Sequence, residues 1–161
     1  MKLIIGLGNP KEEHKNNRHN VGHLVAEALL KRSLPLRGKR NLPKNLVVTK
    51  TNVFMNESGS EVKKLLGGLS PNNLYIIHDD LDIALGAYKI QKGKGPKLHN
   101  GILSIEKELG SDDFWRVRVG VDNRVGDKTP GEEYVLQDFT EEEKEVLRKV
   151  IDKVAQDILS L

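Results

Sequence analysis

The sequence has no cysteine. That removes disulfide frameworks, thiol nucleophiles and cysteine-ligated metal centres together. Aromatic residues are scarce, with three Phe, three Tyr and one Trp in 161 residues, too few for an extended base-stacking platform. Long hydrophobic runs are also missing. The first apolar stretch, "LIIGLG", is short, glycine-rich and followed by Pro10, unlike a signal peptide, and nothing approaches the length of a membrane span. Two nucleotide signatures are incomplete. "GLGNP" has Lys11 where a dinucleotide fingerprint needs its third glycine, and neither "GGLS" nor "GKGPK" supplies the Gly-Lys-Ser/Thr of a P-loop.

What remains is a single-domain composition over residues 1–161, 37% hydrophobic and 30% charged, with an expected cytoplasmic location. The net charge of +3 is modest but unevenly spread. Residues 31–50 hold seven Lys/Arg and no acid, and "KIQKGKGPKLH" at 89–99 holds four lysines and no acid. Such patches attract phosphate backbones, although a solvated basic surface has the same composition.

Hydrophobic periodicity alternates between strand and helix. "KLIIGLG", "NLVVT", "LYIIHDD" and "GAYKIQK" read as strands. "WRVRVGV" alternates strictly, with Trp115, Val117, Val119 and Val121 on one face and Arg116 and Arg118 on the other. Val21, Leu24, Val25, Ala28 and Leu29 form a helical stripe, as do Ile102, Ile105 and Leu109 before Gly110, a C′ residue. Ser58/Glu61 and Thr140/Glu143 have capping-box spacing; the second opens a helix with Val146, Leu147, Val150, Ile151, Val154 and Ile158 inward. Residues 33–45, with Pro35, Gly38 and Pro43, read as a loop. The alternation predicts an α/β three-layer sandwich, a mixed, mostly parallel sheet flanked by helices. Sites in such folds lie outside the carboxyl ends of the strands, where "GNP" and "HDD" fall; Asn56 and "HN" at 99–100 sit at helix starts.

"NNRHNVGH" at 16–23 is dense in hydrogen-bonding groups, and an amphipathic helix follows it. His14, His19 and His23 have metal-like spacing, which with Asp79, Asp80 and Asp82 leaves a metallohydrolase open, but no H-E-x-x-H occurs. The other chemistry is a metal-free histidine base, with a carboxylate holding one ring nitrogen and amides around the reacting carbonyl. His19, Asp79 and the asparagines supply those groups, while a helix-start histidine and a turn aspartate would look the same in sequence.

Taken in order, "IIGLGNP", "RHNVG", "FMNESG", "HDDLDIALG", "HNG", "RVRVGV" and "EYVLQDFTEEE" resemble the motifs of bacterial-type peptidyl-tRNA hydrolases along nearly the whole chain. The resemblance implies a metal-free, cofactor-free esterase that recycles peptidyl-tRNA, a monomer that holds the acceptor stem and CCA end. It assigns the catalytic base to His19 and its stabilising carboxylate to Asp79. It assigns substrate binding to Asn9, Asn56 and Asn100, with Phe54 and Met55 lining the site and His14 beside them, and tRNA contacts to Lys89 and Arg118. The departures are His14 for the family's tyrosine, Asn17 for threonine, "KTNV" for K-P-x-T, "GKGPKL" for a glycine run and Gln91 for a lysine. The segment before Lys50 is also shorter. Lys94 and Lys97 are added phosphate candidates, standing in for the missing lysine. The alternative on the same fold is a non-catalytic RNA-binding protein.

Overall fold

The computed structural model describes residues 1–32 and 42–161. Most of the 33–45 loop, and so part of the basic 31–50 patch, lies outside the described residues. Five strands, β1 (Lys2–Gly6), β2 (Leu46–Lys50), β3 (Leu74–Ala84), β4 (Tyr88–Lys92) and β5 (Trp115–Asp122), form one sheet in the order β2-β1-β3-β5-β4. All neighbours pair in parallel except β4, which runs antiparallel to β5 at the edge. The expected mixed, mostly parallel sheet is therefore what the chain forms.

Strands buried on both faces explain why "LIIGL" and "LYII" carry almost no polar residues. Ile4, Tyr75, Ile77, Val117, Val119 and Val121 face α1 (Val21–Arg32) and α5 (Glu141–Leu159). Leu3, Ile5, Leu74, Ile76 and Phe114 face α2 (Ser58–Leu66) and α3 (Asn100–Leu109). These are the three layers. The other face of β5 is not a solvated one. Arg116 is fully buried, donating to the Asp112 and Phe114 carbonyls and pairing with Glu106 at 2.6 Å.

Local detail departs from the periodicity in four places. Ala26, not Ala28, is buried on α1. Val146 points outward, 40% exposed. β3 does not stop at "HDD" but runs on to Ala84, with an irregular register against β5 after Asp80. The Ser58/Glu61 capping box does not form, because Ser58 Oγ donates to the Met55 carbonyl and Glu61 accepts the Asn52 N–H. The Thr140/Glu143 box does form, and Gly110 ends α3 in the left-handed conformation, as expected. Capping interactions of this kind contribute about 1 kcal/mol.

One glycine decides where the site lies. A Cβ on Gly22 would sit 2.3 Å from the Ile77 carbonyl oxygen and 2.6 Å from Leu7 N. Glycine thus lets the start of α1 rest directly on β1 and β3, which brings the turn before it over the carboxyl end of the sheet. A short helix α4 (Gly131–Tyr134) follows β5 and faces that turn.

Candidate active site

Three motif turns are stitched together by asparagines. Asn20 accepts the Asn9 N–H through Oδ1 and donates through Nδ2 to the Asn9 carbonyl, both at 2.9 Å. Asn9 Oδ1 accepts the Met55 N–H at 2.8 Å. That assigns the Asn9 oxygen to the protein and leaves its amide N–H groups for a ligand. "GNP", "RHN" and "FMN" are therefore one unit, although far apart in sequence.

His19 lies on a one-turn 3₁₀ segment, Arg18–Asn20, ahead of α1. Its Nδ1 is 2.9 Å from Asp79 Oδ2 and 3.0 Å from Oδ1. An ionised carboxylate only accepts, so Nδ1 carries the proton and Nε2 keeps its lone pair. Asp79, 2% exposed, also receives His99 Nε2–H at 2.7 Å. His99 caps α3, its Nδ1 accepting the Gly101 and Ile102 N–H groups. Two backbone donors on Nδ1 fix His99 as the neutral Nε2–H tautomer.

The electrostatics follow from these contacts. Burial opposes charge on the His19 ring, but the Asp79 charge and hydrogen bond outweigh it and hold its pKa above the ordinary value. Burial likewise opposes ionisation of Asp79, yet the two histidines hold it far below the usual carboxylate range. Behind them His78 is wholly buried, donates through Nδ1 to the Asp79 carbonyl and is pushed down to about 3 by burial.

These groups open onto a cleft of about 1020 Å³. Asn9, His19, Phe54, Met55, Asn56, Asp79 and Asn100 all line it, with Asn56 and Asn100 exposed at its edge. The opposite wall comes from the α4 region, through Pro130, Gly131, Glu132, Val135 and Leu136. His14 is not brought there. It pairs with Asn17 Oδ1 at 3.0 Å and stands edge-on to Phe54, 6.5 Å between ring centres. The alternative His14/His19/His23 cluster does not assemble either. His23 contacts Thr51 Oγ1 at 3.3 Å and is pushed down to about 4 by burial and by Lys50. Among the described residues, the group with ligand atoms close enough to share a cation is His19, Asp79 and His99. A cation there would break both hydrogen bonds to Asp79 and require His99 to surrender the tautomer its helix cap demands.

Of the phosphate candidates, Lys89 and Lys94 are exposed, and Lys97 lines the cleft. Arg118 differs. Its Nε donates to buried Asp80 at 2.7 Å, and one terminal nitrogen donates to Gln91 at 2.8 Å. A Cβ on Gly95, whose φ is +60°, would lie 2.4 Å from the guanidinium carbon, so the 93–98 loop rests on this arginine. Arg118 is a loop support whose charge is matched, not an open phosphate contact. His99 was the residue that motif reading passed over. "HNG" drew attention to Asn100, and the available signal was a histidine at a helix N-cap, a position that orients its ring.

Comparison with known proteins agrees with this geometry. The family model described as peptidyl-tRNA hydrolase matches residues 3–161. A Campylobacter curvus peptidyl-tRNA hydrolase is 38% identical, over 100% of this chain and 90% of its own. One from Mycobacterium avium is 36% identical, over 95% and 86%. The crystal structure of the Acinetobacter baumannii peptidyl-tRNA hydrolase superimposes with a TM-score of 0.75 at 29% identity, covering 94% of this chain and 83% of that one. The chain belongs to the peptidyl-tRNA hydrolase family.

Proposed function

We propose that this chain hydrolyses the ester between peptide and tRNA, with His19 as general base and Asp79 as its partner. The observation that carries the reading is the His19 Nδ1–Asp79 hydrogen bond on the wall of an open cleft, which leaves Nε2 as a proton acceptor. Nε2 takes a proton from water as the water oxygen attacks the ester carbonyl carbon. Asp79 stabilises the imidazolium formed. The tetrahedral intermediate collapses with cleavage of the carbon–oxygen bond to ribose, and the imidazolium returns its proton to the departing ribose oxygen. The products are the free peptide acid and tRNA. Esters need less activation than amides, so no covalent intermediate is required.

Amide donors of Asn9, Asn56 and Asn100 bind the carbonyl region, and Phe54 and Met55 form the adjoining wall. The acceptor stem and CCA end approach along Lys89, Lys94 and Lys97, contacts that do not depend on base identity. The protein acts as a monomer, and its substrate, peptidyl-tRNA, is met in the compartment of translation. No described helix is long and apolar enough to cross a membrane.

The test is release of free tRNA from peptidyl-tRNA by protein dialysed against a chelator. Undiminished turnover is expected. Activity lost to the chelator and restored by a divalent ion would favour a cation at His19, Asp79 and His99, and tRNA binding without turnover would favour a non-catalytic RNA-binding protein.

The lysines carry a separate expectation. Changing Lys94 and Lys97 together to glutamine should raise KM at moderate salt and leave kcat nearly unchanged. The log–log salt dependence of binding should flatten by about 0.7–0.9 for each phosphate that is no longer neutralised. An unaltered slope, measured across a salt series, would place the tRNA phosphates elsewhere on the surface.

A further inference from the structure

We infer that Arg18 is a positioning residue for His19, fixing the turn that presents the imidazole to Asp79 through contacts with Glu143 and Tyr134. The inference rests on the reading of His19 as the base. An arginine in an enzyme that handles tRNA would ordinarily be assigned to phosphate. Arg18 is 5% exposed and does not line the cleft, so phosphate cannot reach it. Its fork is used inside the protein. One terminal nitrogen donates to Glu143 Oε1 at 2.7 Å and the other to the Tyr134 carbonyl at 3.0 Å. The guanidinium carbon lies 3.8 Å from the centre of the Tyr134 ring.

The partner is itself immobilised. Glu143 is 3% exposed and belongs to the cap of α5, its Oε1 accepting the Thr140 N–H and its Oε2 the Asn123 amide. Backbone bonds run beside the ion pair. The Arg18 N–H donates to the Gln137 carbonyl at 3.1 Å and the His19 N–H to the Val135 carbonyl at 2.8 Å. The turn bearing the base is thus laced to the segment that supplies Val135 and Leu136 to the cleft wall. A hydrocarbon side chain would fill this space without the desolvation cost of a buried charge, but it would not set an orientation. A planar fork with two acceptors and a ring beneath it does.

The test uses Arg18→Lys and Glu143→Gln. The lysine keeps the charge and loses the fork. The glutamine keeps an oxygen for the Thr140 N–H and loses the charge. Each should lower kcat by about 10- to 100-fold, the scale of a small misplacement of a catalytic group, with KM within about twofold. The acid limb of the kcat profile and the NMR titration of the His19 ring should both move to lower pH, because a ring held less firmly on Asp79 loses what raises its pKa. The other titratable groups near the ring are His99 and, around the cleft, Glu57, Asp82, Lys97 and Glu132, none of which either change touches. A merely structural role would reduce the folded, active fraction and leave the limb and the ring titration in place. That result, or wild-type kcat in either folded variant, would overturn the assignment. The ring titration is read without turnover. A His19→Ala variant that kept its rate would therefore overturn the base reading alone and leave the positioning result legible.

Discussion

Replacing His19 with alanine is expected to lower kcat for peptidyl-tRNA by at least about 100-fold, the lower end of what general-base catalysis contributes. His19 lines the cleft and has one ring nitrogen fixed by a carboxylate, which leaves the other to accept a proton. Alanine removes that acceptor and leaves Asn9, Asn56 and Asn100 in place to bind substrate, so KM should change far less than kcat. Steady-state release of free tRNA by wild type and variant measures both. Near-normal kcat in the variant would remove His19 from the chemistry.

Asp79→Asn should lower kcat less than His19→Ala does, because the base survives but spends most of its time in the wrong state. Asp79 Oδ1 contacts both histidines, while Oδ2 contacts His19 alone. An asparagine that keeps its oxygen at the shared position sets an NH₂ group 2.9 Å from His19 Nδ1, donor against donor. The ring then carries its proton on Nε2, where it cannot accept one from water. Without the Asp79 charge, burial acts alone on the ring and its pKa falls. The acid limb of kcat, which reports loss of the proton from His19, should move from above about 6.5 to below it. The double variant with His19→Ala should be no slower than His19→Ala alone, since Asp79 acts only through the ring. An additive loss would give Asp79 an independent role.

Much of this was readable in the sequence for identifiable reasons. β5 was legible because Trp115, Val117, Val119 and Val121 alternate with arginines, and α5 because Thr140 and Glu143 mark its start. The convergence of Asn9, His19, Asn56, Asp79 and Asn100 followed from polar turns at the carboxyl ends of strands and at helix starts. What stayed hidden depended on contacts between distant segments. Polar "HDD" suggested a strand end, yet His19, His99 and Arg118 satisfy these carboxylates inside the sheet and β3 continues to Ala84. Ser58 and Glu61 had cap spacing, but Met55 and Asn52 offered nearer partners. The burial of Arg18 and Arg116 was not legible, because the partners that allow it, Glu143 at 125 residues' separation and Glu106, are invisible to local pattern.

The most direct measurement sets two titrations side by side: the His19 ring, followed by NMR in the free enzyme, and kcat/KM for peptidyl-tRNA, which reports the free enzyme's groups. In the wild type the ring and the acid limb should share one midpoint above about 6.5, and in Asp79→Asn both should fall below it together. A rate that rises with pH independently of the ring, or a limb that stays in place when Asp79 is neutralised, would contradict His19 as the base that Asp79 tunes.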